Sequence, residues 1–143
     1  MKITICASMK FAKEIIEVKK ILEQRGHKVL LPEMAQPFAE GKFSLDNFEG
    51  GRTNAEFKKK YDLIRKHFKE VEKGDALLVL NYDRMGIKNY IGGGTFAEMA
   101  LAYYLKKPIY ILNPIPQNLP YTTEMEAMGP IILNGNLDLI KGN

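Results

Sequence analysis

Five short apolar runs alternate with helix-forming segments along the chain, and this alternation is what most limits the fold. The runs lie at Lys2–Ala7, His27–Leu31, Asp75–Leu80, Pro108–Leu112 and Pro130–Leu133. Strands with almost no polar interruption are typical of a parallel sheet covered by helices on both faces. Right-handed crossovers then predict a doubly wound α/β fold, Rossmann- or flavodoxin-like, with a five-stranded parallel sheet in the order 2-1-3-4-5. We expect residues 1–143 to form a single domain.

The helices are predicted from apolar residues that recur every three or four positions. The first helix carries such residues at Phe11, Ile15, Val18 and Leu22. We expect it to end at Gly26, because glycine readily adopts the left-handed conformation that closes a helix. Asn54 is a favourable N-cap for a second helix, which we expect to run without a break through Phe57–Val71. A third helix begins in the glycines and continues over Gly93–Lys106.

The segment 33–53 has no apolar period and is too long for a plain connection in a compact domain. We therefore predict a long loop that acts as a functional flap or is partly mobile. Phe38, Phe43 and Phe48 are spread along it. Their rings could pin the loop to the core or offer a stacking face to a base.

The composition excludes several classes of site. The single cysteine, Cys6, allows no internal disulfide and no zinc site built on CxxC pairs, and we expect it to pack in the core. With only His27 and His67, a histidine-based metal cluster is improbable, and both histidines are expected at the surface or in caps. We predict no metal and no cofactor. No run of 18 apolar residues and no signal peptide is found, which favours a cytoplasmic protein that does not enter a membrane.

The charge is mildly basic, with 21 lysines and arginines against 17 acidic residues and a net charge of +4. The dense basic cluster between Lys58 and Lys73 is interspersed with acidic residues, which is typical of a solvated helix face. A polyanion surface remains the alternative, but basic stripes with interleaved aromatics are missing, so we predict no nucleic-acid polymer as a partner. A small anionic ligand would suit this charge.

The strongest chemical signal is the segment Gly92–Glu98, which contains Gly92, Gly93, Gly94 and Thr95. Consecutive glycines let a ligand approach the backbone, and a helix N-terminus behind them favours an anion. Glu98 would then lie in the first helical turn. It either faces a pocket or forms a capping box, in which it bonds the amide of Thr95.

Two further polar segments follow strands that end at the same edge of the sheet. Ser8 and Lys10 follow the first strand, and they could hold a phosphate or merely cap a helix. Asn81 and Asp83 follow the third strand, where Asp83 is either a turn residue or a proton donor. Asp83 and Glu98 could share the work of glycosyl transfer, one as an acid and the other as an anionic nucleophile. Neither the Walker loop nor the GxGxxG fingerprint occurs.

These motifs resemble a known family. Gly94–Ala102, which reads GTFAEMALA, is similar to the G-T-x-x-E segment and small-residue helix of the nucleoside 2-deoxyribosyltransferase superfamily. Cys6–Lys10 resembles the phosphate-binding turn of its 2'-deoxynucleoside 5'-monophosphate N-hydrolase branch. The resemblance extends from Met1 to about Asn113. The glycine-rich segment and Glu98 also resemble those of the phosphoribohydrolases that release cytokinin bases, which share this reaction class.

The resemblance implies an N-glycosidase that cleaves the base–sugar bond of a (deoxy)nucleoside 5'-monophosphate. Glu98 would be the nucleophile and Asp83 would assist the base, while Ser8, Lys10 and the glycine amides would contact the phosphate. The transferase branch commonly has a tyrosine in its first strand that positions the nucleophile, and Thr4 stands there in this sequence. A deoxyribosyltransferase and a non-catalytic nucleotide-sensing module remain alternatives.

The resemblance also implies a homodimer or larger homo-oligomer. The residues give a separate reason, because the predicted helices Phe57–Val71 and Thr95–Lys106 carry more apolar and aromatic side chains than one sheet face requires. Tyr103 and Tyr104 are adjacent, about 100° apart on a helix. At least one of them is expected to point away from the sheet, unless both lie at the domain surface.

Overall fold

The computed structural model describes residues 1–141 and contains a five-stranded, entirely parallel sheet in the order β2-β1-β3-β4-β5. The strands are β1 (Lys2–Cys6), β2 (Lys28–Leu30), β3 (Ala76–Val79), β4 (Ile109–Ile111) and β5 (Ile131–Ile132). The predicted α/β fold and strand order are confirmed. Apolar runs identify these strands because the central ones are buried on both faces, so that no polar residue interrupts them.

Six helices connect the strands in this part of the chain. They are α1 (Ala12–Gln24), α2 (Ala35–Ala39), α3 (Ala55–Lys60), α4 (Leu63–Lys73), α5 (Gly93–Tyr104) and α6 (Thr122–Ala127). Gly26 follows α1 with a φ of 90°, which confirms the predicted helix end. No helix within residues 1–141 is long and apolar enough to cross a bilayer.

Two hydrophobic cores lie on opposite faces of the sheet. Helix α1 covers one face, where Ile15 and Leu22 pack with Ile3 and Ile5 of β1. Helices α4, α5 and α6 contribute to the second core, which contains the following buried residues: Cys6, Val71, Leu77, Val79, Met99, Ala102 and Met125. Because successive strand residues point to opposite faces, Cys6 faces α4 and α5, whereas Ile5 faces α1.

The predicted continuous helix over Phe57–Val71 is wrong, because the chain breaks between α3 and α4. Asp62 has a left-handed φ of 51°, and its backbone then starts α4. The break rotates α4 about its axis, so the face of α4 that is buried differs from the face expected for one straight helix. As a result Ile64 is 57% exposed, whereas His67 and Val71 are buried. Asn54 does cap α3, accepting a hydrogen bond from the Phe57 amide at 2.8 Å.

The segment 33–53 is more ordered than the predicted loop, because it contains α2 and two short 3-10 turns. Phe38, Phe43 and Phe48 pack in one aromatic cluster with Phe57 and Tyr61. The ring centroids of Phe43 and Phe57 are 5.5 Å apart, and those of Phe48 and Phe57 are 5.1 Å apart. These rings therefore pin the segment 33–53 to α3, which is one of the two predicted alternatives. None of Phe38, Phe43 and Phe48 lines the cavity at the carboxyl ends of the strands.

Candidate active site

A cavity of about 460 Å³ opens where the carboxyl ends of β1 and β3 meet the start of α5. This volume lies within the range of roughly 300–1,000 Å³ typical of small-molecule sites. Its polar lining comes from Ser8, Glu33, Arg52, Thr53, Lys58, His67, Arg84, Tyr90, Gly92, Gly93, Gly94, Thr95 and Glu98. The apolar lining comes from Ala7, Met9, Pro32, Met34, Leu45, Leu63, Ile64, Phe68 and Ala97. The position is the one expected for a ligand in a doubly wound sheet.

Glu98 does not form the capping box that the sequence allowed. Helix α5 begins at Gly93 with Gly92 as its N-cap, and no side chain caps it. Glu98 is therefore well inside the helix, beyond the reach of the Thr95 amide. Its side chain turns toward the cavity and α4, and it is only 12% exposed.

The carboxylate of Glu98 instead meets the imidazole of His67. Oε2 of Glu98 is 2.9 Å from Nε2 of His67, and the same nitrogen is 3.2 Å from Sγ of Cys6. The three side chains come from α5, α4 and the last residue of β1. All three residues are buried, and His67 and Glu98 also line the cavity.

Burial determines which protons this triad carries. It lowers the pKa of His67 to about 4, so the ring is neutral at pH 7. It also raises the pKa of the Cys6 thiol well above its usual range, so Cys6 is not a thiolate. Nε2 of His67 and Oε2 of Glu98 are too close for two unprotonated atoms, so we assign the imidazole proton to Nε2. In the described residues, Nδ1 of His67 has no hydrogen-bond partner.

Thr4, the residue at the place of the transferase tyrosine, does not approach Glu98. Its hydroxyl donates to the backbone carbonyl of Glu70 at 2.8 Å and so ties β1 to α4. It also fills the space beside Gly74, where an added Cβ would clash with Oγ1 of Thr4. The side chain that does contact the candidate nucleophile is His67, whose Nε2 lies 2.9 Å from Oε2 of Glu98.

The glycines at the start of α5 leave space for a ligand. An added Cβ would meet no protein atom at Gly93, and at Gly94 it would meet only Nζ of Lys58 at 4.0 Å. Neither glycine has a positive φ, so the backbone conformation does not require them. The first amides of a helix have no intrahelical acceptor, and the residues Gly93 and Gly94 that carry two of them line the cavity.

Cationic side chains line the same cavity. The guanidinium of Arg84 donates to Oγ of Ser8 and, at 2.7 Å, to the carbonyl of Gly51. Its Cζ lies 5.8 Å from the centre of the Tyr90 ring. Arg52 and Lys58 add two further positive charges to the lining. Together with Ser8 and the α5 amides, these groups form a cavity that attracts an anion.

Three of the predicted site residues lie outside the cavity. Lys10 is exposed, and its amide donates to Ser8, so Ser8 caps a short turn as well as contacting Arg84. Asp83 is exposed and accepts a hydrogen bond from the Asn89 amide at 2.9 Å, which is the turn role that the sequence left open. The structure does not bring either side chain to Glu98.

Asn81, the third of these residues, is fully buried and joins the ends of β3 and β4. Its amide nitrogen donates to the carbonyls of Asn113 and Pro114, and its oxygen accepts from the Asn113 amide. The Asn113 side chain donates back to the Asn81 carbonyl at 3.0 Å. This reciprocal pair supports the edge on which the cavity is built without entering the cavity.

Sequence reasoning missed three residues that the structure brings to the site. Cys6 packs in the core as predicted, but its contact with His67 was not foreseen. His67 is predicted at the surface or in a cap, yet it is buried beside Glu98. Arg84 was passed over, although it is one residue after Asp83 on the same loop. The available signal was positional, since Cys6 and Arg84 both lie at or after the carboxyl end of a predicted strand.

The fold is shared with two solved enzyme structures. One is a 2-deoxyribosyltransferase from Bacillus psychrosaccharolyticus, with 16% identity over 92% of this chain and 98% of that chain, and a TM-score of 0.55. The other is BcmB, a CMP N-glycosidase from Clostridium botulinum, with 15% identity over 98% of this chain and 100% of that chain, and a TM-score of 0.54. This chain has a deoxyribosyltransferase-like fold. No family model and no curated protein matches the sequence.

Proposed function

We propose that this protein is an N-glycosidase that cleaves the base–sugar bond of a (deoxy)nucleoside 5'-monophosphate, with Glu98 as the nucleophile. The observation that carries the proposal is a buried carboxylate, held by a neutral histidine, in the same cavity as a cluster of cations. The shared fold supports it, since one structure is a CMP N-glycosidase and the other a 2-deoxyribosyltransferase.

Glu98 is suited to attack an anomeric carbon. His67 holds Oε2, while Oε1 makes no hydrogen bond to any residue in 1–141 and can approach C1′. A bond forms between Oε1 and C1′ as the C1′–N bond breaks, and its electron pair leaves with the base, which takes a proton from water. A second water molecule then attacks C1′, gives its proton to the hydroxide left by the first step, releases Glu98 as a carboxylate and gives the free sugar phosphate.

A neutral partner for the nucleophile has a chemical advantage. A protonated histidine would stabilise the carboxylate strongly in the ground state and so reduce its nucleophilicity. The neutral ring orients Glu98 through one hydrogen bond, which costs less of this reactivity. Burial of His67, which keeps the imidazole neutral, is thus part of how the site would function.

The cations support a 5'-phosphate position at the wall formed by Arg84, Ser8 and the start of α5. Arg84 can present a planar pair of N–H donors to phosphate oxygens, a geometry that a lysine lacks. Arg52 and Lys58 would add charge, and the amides of Gly93 and Gly94 would add direct hydrogen bonds. The apolar side chains of the lining would receive the sugar and the base.

Incubation with a panel of nucleosides and their 5'-monophosphates tests the function, with released base followed by chromatography. We expect base release from at least one monophosphate, at a higher kcat/KM than from the matching nucleoside. Addition of a second base distinguishes hydrolysis from transfer, because a transferase would form a new nucleoside. Tight nucleotide binding with no release would leave the sensing-module alternative and contradict the proposal.

A further inference from the structure

Three different metal-ligating atoms meet at the inner end of the cavity. Nε2 of His67 lies 3.2 Å from Sγ of Cys6 and 2.9 Å from Oε2 of Glu98. All three atoms lie within 4.8 Å of one another, and all three residues are buried. They are held by a strand and two helices, so regular secondary structure positions all three side chains before any ion enters.

The donor set and spacing suit a zinc ion. Zn²⁺ binds sulfur at about 2.3 Å, histidine nitrogen at about 2.0–2.1 Å and carboxylate oxygen at about 2.0–2.2 Å, in tetrahedral geometry. Tetrahedral angles then place the ligand atoms roughly 3.3–3.6 Å apart. Each observed pair would open by roughly 0.3–0.5 Å, a change within reach of small side-chain rotations.

The charges balance when zinc binds. The metal displaces the proton of Cys6, since a coordinating thiol is deprotonated, and takes the lone pair of Nε2 while the imidazole proton moves to Nδ1. One thiolate and the Glu98 carboxylate then neutralise the two charges of Zn²⁺, and one proton is released to solution. No buried charge remains unpaired, which is the condition for a stable buried ion.

We propose that Cys6, His67 and Glu98 form a Zn²⁺ site of the three-ligand type, with its fourth position open to the cavity. This differs from the expectation of no metal site, which rested on the absence of CxxC pairs and of several histidines. Three protein ligands and one exchangeable position are the pattern of reactive rather than purely structural zinc sites. The site itself does not depend on the proposed glycosidase activity.

If the proposed function holds, a chain that has zinc bound at this site cannot release base. A Glu98 carboxylate that ligates Zn²⁺ no longer has the free geometry for attack on C1′. We therefore expect zinc to inhibit base release in proportion to its occupancy and a chelator to restore it. Free Zn²⁺ would then act as a reversible inhibitor that binds at the nucleophile itself.

Cobalt titration of the whole, tag-free, metal-free chain tests the site. Co²⁺ substitutes for zinc and gives a thiolate-to-cobalt charge-transfer band, which only Cys6 can produce because the chain has one cysteine. We expect the band to saturate at one Co²⁺ per chain and to disappear when Zn²⁺ is added. No band at stoichiometric Co²⁺ would overturn the proposal.

Variants identify the ligands. Cys6→Ser should abolish the band, and Glu98→Gln should weaken Co²⁺ binding by more than the roughly 10–100-fold that outer-shell partners contribute. His27→Gln is the matched control, since it removes the other histidine and should leave the titration unchanged. Because position 6 is fully buried, circular dichroism is used to check that the Cys6→Ser protein folds. If Cys6→Ser does not fold, Glu98→Gln provides the independent test. An unchanged titration in folded Glu98→Gln would contradict the three-ligand site.

The activity measurement separates this inference from the proposed function. Cobalt binding with no base release from any nucleotide would support the metal site and contradict the glycosidase. Base release that is indifferent to Zn²⁺, in a protein that shows no cobalt band, would support the glycosidase and overturn the metal site.

Discussion

Nε2 of His67 lies 2.9 Å from Oε2 of Glu98, and this contact joins helix α4, which carries three exposed lysines, to the middle of helix α5. Packing of α4 against α5 makes this contact possible, and it leaves a carboxylate buried beside a neutral ring. The chemistry proposed for the cavity depends on this pair. Most of the following predictions therefore test one of its members or the cations that share its cavity.

Glu98→Gln should abolish base release while preserving the fold. The amide has the same shape but no nucleophilic carboxylate, so we expect a loss of roughly 10³-fold or more in kcat. Nucleotide binding should persist, and calorimetry with the monophosphate can measure it. Full turnover in a folded Glu98→Gln protein would eliminate the covalent mechanism.

His67 should act as a positioning residue for Glu98. His67→Leu removes the donor, and a hydrogen bond to a charged group contributes about 1.5–3 kcal/mol, so kcat should fall by roughly 10–150-fold with little change in KM. His67→Gln retains an N–H donor and should recover part of this loss. Steady-state kinetics of both variants decide the point, since equal losses in the two would indicate a packing role alone.

The buried histidine also predicts a loss of stability in acid. The pKa of His67 is about 4 in the folded protein and near 6.5 in the unfolded chain, so between these values the unfolded state binds more protons. The free energy of unfolding should therefore decrease as pH falls from 6.5 to 4, by at most about 3 kcal/mol from this group.

Urea titrations with a chelator present, at several pH values, measure this effect. His67→Gln is the comparison, because it should lack this part of the pH dependence while keeping the contribution of every other titrating group. Parallel pH curves for the wild type and His67→Gln would show that the ring is not held neutral in the fold.

Arg84 should determine the preference for monophosphates. Arg84→Gln removes the guanidinium, and we expect kcat/KM for the monophosphate to fall by about 10–100-fold while that for the nucleoside changes little. Lys13→Ala removes one positive charge from an exposed site outside the cavity and is the matched control. An equal fall for nucleoside and monophosphate in Arg84→Gln would assign Arg84 to the fold rather than to the phosphate.

The exposed tyrosines of α5 are consistent with a homodimer, which stays a prediction. Tyr103 is 55% exposed and Tyr104 80% exposed, whereas Met99 on the same helix is fully buried in the second core. Exposed aromatic residues are enriched at interface centres, so we expect a two-fold symmetric dimer through this end of α5. Light scattering at micromolar concentration should give about twice 16.3 kDa. A monomeric mass for the wild type would contradict the dimer. The double variant Tyr103→Ser/Tyr104→Ser should have a monomeric mass.

The sequence by itself was sufficient for the sheet and for the general place of the site. Strand runs are local and continuously apolar, and the right-handed crossover rule limits how they can be ordered, so the order 2-1-3-4-5 followed. The polar segments after β1 and β3 and the glycines at the start of α5 had to meet at one edge. Ser8, the glycines, Thr95 and Glu98 were placed at the site for that reason.

Only the tertiary structure decided which other side chains reach the cavity. The left-handed conformation of Asp62 ends α3 and rotates α4, which buries His67 and leaves Ile64 at the open, exposed part of the lining. A periodicity count cannot detect a break of that kind. The loop after β3 likewise turns Asp83 to the Asn89 amide and Arg84 to Ser8. Contacts between distant segments depend on these local rotations, whereas burial of the strands does not, and so the fold could be predicted more completely than the site.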